Sequence, residues 1–524
     1  MYIRKVIGMV LTLCILLTVF SACGGAAEKP NDTITAEEKT SEASTDKAAT
    51  DTADTAKNVE ILKCKYLVPG TEKKDSPAVD AAINEKLKKD NVNVEFTRAY
   101  IPWDVWQQKT NAMMATGEEF ELIHIMEDWV PTASFVGKGA LAPLNKLIEN
   151  YGPVLKEIIP PEIWKVESLK GEIYSIPVMF RDFSFDHDVS IQKQYWDKYN
   201  LELPKTIDEL IEQVELIYKG EKDPDLKIWV RKVAEPFNSF HRGYATYPFT
   251  IKNSMIYVDQ QGNIKPWYET EEFKQDCLIM AKLYQKGLIP ADVLTMPWEE
   301  VNTNKVSAGK WIAQFSGGAL FEVSEVKKRK PDAQIVKVTL NPEKPIFRGD
   351  RVVMNSNGVS STSKHPEAGV MFFNWLYSSQ ENYDLLNYGI ENKHWRKLDG
   401  RKYEVIAADP LNPDYGFGDW EIGHYKLVRI EKNQPSELEP IMFTFDPKTI
   451  NCISTGFTFN SEPVNAEYSA VLAEIEASIY PLKYGVVDFD KNYPKAIEAL
   501  KKAGYDKVVE EYKKQFAAWL AENK

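Results

Sequence analysis

Flat aromatic rings set beside carboxylates or guanidinium groups recur along this chain where local patterns break. Asp128 and Trp129 stand together in "MEDWVP", and Trp103 follows a proline in "IPWDVW", with Trp106 three positions on. The stretch "MFRDFSFDHDVS" (179–190) carries Arg181 and Asp182, and "EPFNSFHRGYATYP" (235–248) carries Phe240 and Arg242. Trp298 follows a proline in "TMPWEE", and Trp395 lies in "GIENKHWR". An aromatic face stacks on patches of C–H, while Asp, Glu, Asn, Gln and Arg take hydroxyls. Burying those hydroxyl partners unpaired would cost about 1–3 kcal/mol each, so the combination discriminates among hydroxyl-rich ligands such as sugars. Plain packing is the rival reading: Trp129 under the next loop, Trp106 in the core, and Arg181 with Asp182 in a salt bridge.

Catalysis has no comparable signature. No G-x-S-x-G elbow, H-E-x-x-H helix or P-loop occurs. Gly137, Gly139 and Ala142 match a dinucleotide fingerprint loosely, without a clear strand before them. Asp186-His187-Asp188 lacks the convergent spacing of a metal site. "DFDKNY" (488–493) begins like a calcium loop but has no Gly at the sixth position or Glu at the twelfth. Neighbouring carboxylates such as Glu299-Glu300 do not define the fixed separation glycosidase chemistry needs. The reading is a protein with no catalytic residues, no metal and no cofactor.

The amino terminus gives an address. Arg4 and Lys5 precede Val6–Phe20, fifteen residues without a charge. A spanning helix needs roughly 20 apolar residues, whereas a signal-peptide core needs about 7–15. Ser21-Ala22-Cys23-Gly24 then resembles a lipobox, cut before a cysteine that becomes lipidated, with Phe20 where Leu is usual. Residues 24–57 hold no aromatic residue, one branched aliphatic (Ile34), and eight Asp/Glu against four Lys. Such a segment cannot bury enough apolar surface to offset chain entropy. The expectation is a signal peptide over 1–22, then a lipid at Cys23 and an acidic tether over 23–57. The body would stand on the outer face of a bacterial membrane.

The net charge of −13 argues against nucleic acid, which needs a basic face. With 13 Trp, 25 Tyr and 23 Phe, the body can build large cores and still spare aromatics for a ligand. Cys64, Cys277 and Cys452 are widely spaced and odd in number, so buried free thiols are expected. From residue 58 the pattern alternates: strand 58–67, helix 76–90, strand 91–100, helix 103–117, strand 119–127. This order predicts a parallel sheet with helices on both faces, its ligands beyond the carboxyl ends of the strands. The β-rich stretch 171–180 would carry the chain onward. Later helices are expected at 206–220, opened by a Thr206–Glu209 capping box and stopped by Gly220, and at 270–287. Others are expected within 363–389 and at 466–479, 494–503 and 505–522.

Several phrases resemble the extracellular solute-binding proteins of ABC sugar importers, the family that includes maltose-binding protein. "GEIYSIPV" resembles the segment entering the second lobe, and "LPKTIDEL" the P-x-T-[WY]-[DE]-E-[LF] helix start, with Ile207 where an aromatic is usual. "AKLYQKGLIPAD" and "GKGALAPLNKLIEN" resemble two further recurring phrases. "ENYDLLNYGIENKHW" and the tail from Ala496 resemble the large lipoprotein subgroup labelled LplA or LipO. Scattered over roughly 58–524, the resemblance implies an α/β, two-lobed periplasmic-binding-protein-like fold, with mostly parallel sheets flanked by helices. It further implies a hinge that closes on a carbohydrate and delivery to the permease subunits of an ABC transporter. The body is then expected to divide into lobe 1 at 58–178, lobe 2 at 179–346, a return to lobe 1 at 347–440, and a helical part at 441–524 packing on lobe 2. A monomer is expected. A surface-anchored glycoside hydrolase and an extracellular ligand sensor remain open as alternatives.

Overall fold

The computed structural model describes residues 60–127, 130–179, 189–229, 255–259, 261–297, 304–315, 323–343, 346–348, 353–434, 449–451, 453–454 and 457–523. Contacts divide the chain between Asn58 and Val59, and every described residue belongs to the second unit. The segments expected as signal peptide and tether, with Cys23, lie outside the described residues, as does Cys452.

The opening alternation is realised in five elements: β1 (Leu62–Pro69), α1 (Ser76–Lys89), β2 (Val94–Ile101), α2 (Trp106–Thr116) and β3 (Leu122–Met126). β1 runs parallel to both β2 and β3. All five residues of β3 are buried, as a strand covered on both faces requires. α1 turns Val79, Ile83 and Leu87 inward at helical spacing.

The chain next forms β4 (Ser175–Pro177), then a second group: β5 (Val189–Gln192), β6 (Lys227–Trp229), β7 (Trp311–Gln314) and β8 (Ile335–Val338). It returns as β9 (Asn355–Val359). The first sheet has the order β2-β1-β3-β9-β4 and the second β8-β5-β7-β6. β9 is antiparallel to β3 and β4, and β5 is antiparallel to β7 and β8, while β6 and β7 run parallel. The α/β, two-sheet architecture is the expected one, and in each sheet all strands but one run in the same direction, β9 being reversed in the first and β5 in the second. β5 and β9 are the strands at which the chain passes from one sheet into the other, and each lies between two strands that run the opposite way.

Helix boundaries follow local chemistry. α3 (Ile207–Glu221) opens with the expected capping box: Glu209 N–H donates to Thr206 Oγ1, and the Glu209 carboxylate accepts from Thr206 N–H. Leu210, Ile211, Val214 and Ile217 face the core. Gly220 does not stop this helix. It lies inside the last turn, where a Cβ would fall 2.0 Å from Tyr199 Oη, and left-handed Lys222 (φ 56°) ends the helix instead. α4 (Glu271–Gln285) is capped by Thr270, which accepts from Phe273 N–H at 3.2 Å. α5 (Val323–Arg329) follows β7. The apolar run 363–389 forms two helices, α6 (Pro366–Ser378) and α7 (Gln380–Asn387), parted at the extended cap Ser379.

An insert then contributes β10 (Trp395–Lys397), β11 (Lys402–Val405), the short α8 (Asp419–Ile422) and β12 (Ile430–Glu431), with sheet order β10-β11-β12. The closing helices are α9 (Asn465–Glu474), α10 (Phe489–Lys502) and α11 (Tyr505–Asn523). Val471, Leu500 and Tyr512 from these helices join Ile191, Ile228 and Leu210 in one apolar core. Tyr66, Phe96, Phe372 and Phe373 belong to another core, which contains the first sheet. Cys64 and Cys277 are buried free thiols, their ionisation pushed to higher pH chiefly by burial. Among the described residues no helix is long and apolar enough to cross a membrane.

Candidate functional site

Three parallel strands end side by side in the first sheet, and a pair of indoles gathers there. Gly70, just past β1, donates its N–H to Ile101 O at 2.9 Å, tying the ends of β1 and β2 together. Its φ of +111° lies in the region that favours glycine, and Trp103 Nε1 would stand at ordinary contact distance, 3.7 Å, from a Cβ there. Pro102 (ψ 146°) holds the chain extended, and Trp103 then opens a short 3-10 turn, Trp103–Val105, with 46% of its surface exposed. Trp420, on α8 of the insert, lies against it with ring centroids 5.6 Å apart at 34°. Trp420 also meets the edge of buried His124 on β3, at 4.9 Å and 84°. The result is a shelf of three rings running from the core of the sheet to solvent.

Polar groups beneath fix the shelf. His124 places Nδ1 3.3 Å from Asn357 Oδ1 and Nε2 3.2 Å from Asn355 Oδ1. Burial lowers its pKa to about 4, so the imidazole is neutral at ordinary pH. Asp419, beside Trp420, is half-buried and accepts from Tyr383 Oη at 2.8 Å, Tyr388 Oη at 3.2 Å and the Asn387 side-chain amide. Its carboxyl is raised to about 6 by burial, against the pull of those donors. On the other side, the Glu421 backbone carbonyl accepts from Asn357 Nδ2 at 2.9 Å. The Glu421 carboxyl is buried and strongly raised by desolvation, with Arg98 opposing. Past β3, Glu127 accepts from Thr132 N–H and from the hydroxyls of Thr132 and Ser356, which locks the start of the next turn. An exposed stacking face on a rigid, hydrogen-bonded base suits binding. Among the described residues no group of three or more His, Cys, Asp or Glu could hold a metal.

Of the residues singled out from sequence, Trp103 stands on this shelf. Trp395 does not: it is 3% exposed, donates from Nε1 to Gly389 O at 2.9 Å, packs on Tyr388 and Tyr403, and lies under the Arg429 guanidinium. Its ring is enclosed by the insert, so the structure makes it a packing residue. Trp106 is buried, as read, and Trp311 begins β7 in the core. Asp128, Trp129, Arg181, Asp182, Phe240, Arg242 and Trp298 lie outside the described residues. Sequence reading missed Trp420 and His124. Trp420 stands in "GFGDWEIGH", among glycines and without periodicity, and nothing local announces that it folds back over 300 residues onto Trp103.

Comparison with known proteins places this architecture. The family described as "Bacterial extracellular solute-binding protein" matches residues 69–383, more than half of the chain. The chain belongs to that family. A domain of unknown function (DUF3502) matches residues 453–521 of this solute-binding protein, the part that carries the closing helices. A carbohydrate ABC transporter substrate-binding protein of Streptococcus pneumoniae is 24% identical over 459 residues, covering 84% of this chain and 87% of the relative. The polygalacturonan/rhamnogalacturonan-binding protein YtcQ of Bacillus subtilis is 22% identical, covering 84% and 89%. Among solved structures, the N-glycan transport solute-binding protein NgtS of S. pneumoniae with Man1GlcNAc superposes with a TM-score of 0.69 at 20% identity, covering 88% of this chain and all of that one. FusA of S. pneumoniae with kestose gives 0.61 at 15%, with the same coverage. At these identities the structural likeness shows a shared fold.

Proposed function

We propose that this solute-binding protein is a lipoprotein of an ABC importer, held by a lipid on Cys23 at the outer face of the membrane. It works as a monomer without catalysis, captures an oligosaccharide by closure of its two lobes, and delivers it to the permease subunits. The observation that carries the reading is the Trp103–Trp420 shelf at the strand ends. It belongs to a chain whose relatives, matched over 84% of its length, are named for carbohydrate transport and polygalacturonan binding. The indole faces take the C–H faces of a sugar ring. Asp128, Trp129, Arg181, Asp182, Phe240, Arg242 and Trp298 supply further contacts. Sugar contacts made by both lobes favour the closed state, since only a difference in affinity between two states shifts their populations.

The test is a thermal-unfolding and calorimetric screen of the full chain, in mild detergent, against mannose-, fructose- and galacturonate-based oligosaccharides. Binding of one class raises the melting temperature by mass action, about 2.7 kcal/mol of stabilisation at a hundredfold excess over Kd. The sugars are then recovered intact. Shortened sugars in the mixture would make the protein a hydrolase, and no shift with any class would remove carbohydrate as the cargo.

A further inference from the structure

The second sheet carries a polar row that its own packing leaves incomplete. The register sets Lys337 of β8 opposite Ser190 of β5, Ser190 opposite Gln314 of β7, and Gln314 opposite Trp229 of β6. Residues opposite one another share a face of the sheet, so these four form a line across all four strands. Their strand neighbours Ile191, Ala313 and Ile228 are likewise opposite one another, and they belong to the apolar core that includes residues of α3 and α4. The alternation thus turns the apolar row to that core and the polar row away from it.

Gln314 is 5% exposed, and its Nε2 is enclosed without a hydrogen-bond partner. An enclosed donor left unpaired works against the fold, and native chains keep few of them. Its place in the topology gives a reason to keep it. Trp229 and Gln314 are the last residues of the parallel strands β6 and β7. Ligands of open α/β sheets sit beyond such strand ends. α5, which follows β7, sets Val323 and Val326 into the same apolar core as Ile422 and Ile430 of the insert. That packing sets α5, the helix after β7, against the insert that also bears Trp420.

We propose that Gln314 is a ligand-binding residue of the second lobe, its side-chain amide donating to a hydroxyl or carbonyl oxygen of a carbohydrate. The proposal rests on the carbohydrate reading above. Trp103 would stack from the strand ends of one sheet and Gln314 would hydrogen-bond from those of the other, so one sugar chain could draw both lobes together.

Gln314→Met removes the amide at nearly constant volume, and Gln314→Ala removes it with a cavity. Both are made in the full chain, and each is followed by thermal unfolding and by titration with the mannose-, fructose- and galacturonate-based oligosaccharides. The expected result is a melting temperature for the Met variant equal to or above that of the native protein. Affinity for the sugar class that the native chain binds falls by about tenfold or more in both variants. A Met variant that is clearly less stable would show that the amide already has a structural partner, and would overturn the proposal. So would native affinity, within about twofold, in a folded variant. A Met variant that does not fold is the same overturning outcome. A native chain that binds none of the three classes removes the carbohydrate reading and this proposal together, whereas native binding with unimpaired variants removes this proposal alone.

Discussion

Trp103 keeps nearly half its surface in solvent while leaning on Trp420, and the two rings carry different loads. Trp103→Ala removes the exposed stacking face and leaves the sheet intact. Affinity for the bound oligosaccharide should fall about tenfold, near 1.4 kcal/mol, with little change in melting temperature. Trp420→Ala should lose affinity and stability together, because that ring also packs on His124. Equal affinity for Trp103→Ala and the native chain would move the ligand site elsewhere. Asp419 gives a prediction in pH. Its folded carboxyl is raised to about 6, above the ordinary carboxylate value near 4, so the folded chain holds a proton that the unfolded chain has already lost. That contribution is complete below pH ~4 and is lost as pH rises through about 6, a change on the order of 3 kcal/mol at most. His124, lowered to about 4, has the opposite sign: its contribution is complete above pH ~6.5 and is lost as pH falls through about 4. The stability difference between the native chain and Asp419→Asn cancels the histidine. It should decline from pH 4 to 6.5 by chemical denaturation, and a flat difference would contradict a raised Asp419.

At the scale of elements, α3 shows which local signals can be trusted. Thr206 and Glu209 sit at capping-box spacing, and the box forms because it needs only neighbours in sequence. Thr206→Ala should cost about 1 kcal/mol in denaturant unfolding, and Thr206→Ser should recover most of it. Gly220 reads locally as a helix stop, yet it lies within the helix, where Tyr199 occupies the space of a Cβ. Helix propensity alone would have Gly220→Ala stabilise α3. The structure predicts that this gain is cancelled, because the half-exposed Tyr199 ring must swing aside before a Cβ fits, and a full gain of about 1 kcal/mol would refute that contact. The extended Ser379 parts α6 from α7 within an apolar run that periodicity alone left open as one helix or two.

For the whole molecule, the reading joins an anchor to a two-lobed body. Cys23→Ala should move the protein from the membrane fraction to the medium without altering sugar affinity, which fractionation and titration would check together. The sequence by itself determined what depends on near neighbours and on composition. The alternation over β1 to β3, the capped helices and the family phrases are all of that kind. Each expresses a force acting within a few residues or an average over a segment. Tertiary structure alone decided the direction of β5 and β9, since strand polarity depends on the side from which the chain enters a sheet. It decided that Trp395 is walled in while Trp103 is not, although both look alike as tryptophans in loops, because exposure is set by what the insert folds onto. It also brought Trp420 to Trp103 and lined Gln314 up with Ser190, Lys337 and Trp229, across gaps in sequence that no periodicity spans. Contacts closed over hundreds of residues are selected by packing of the complete chain, and local pattern carries no record of them.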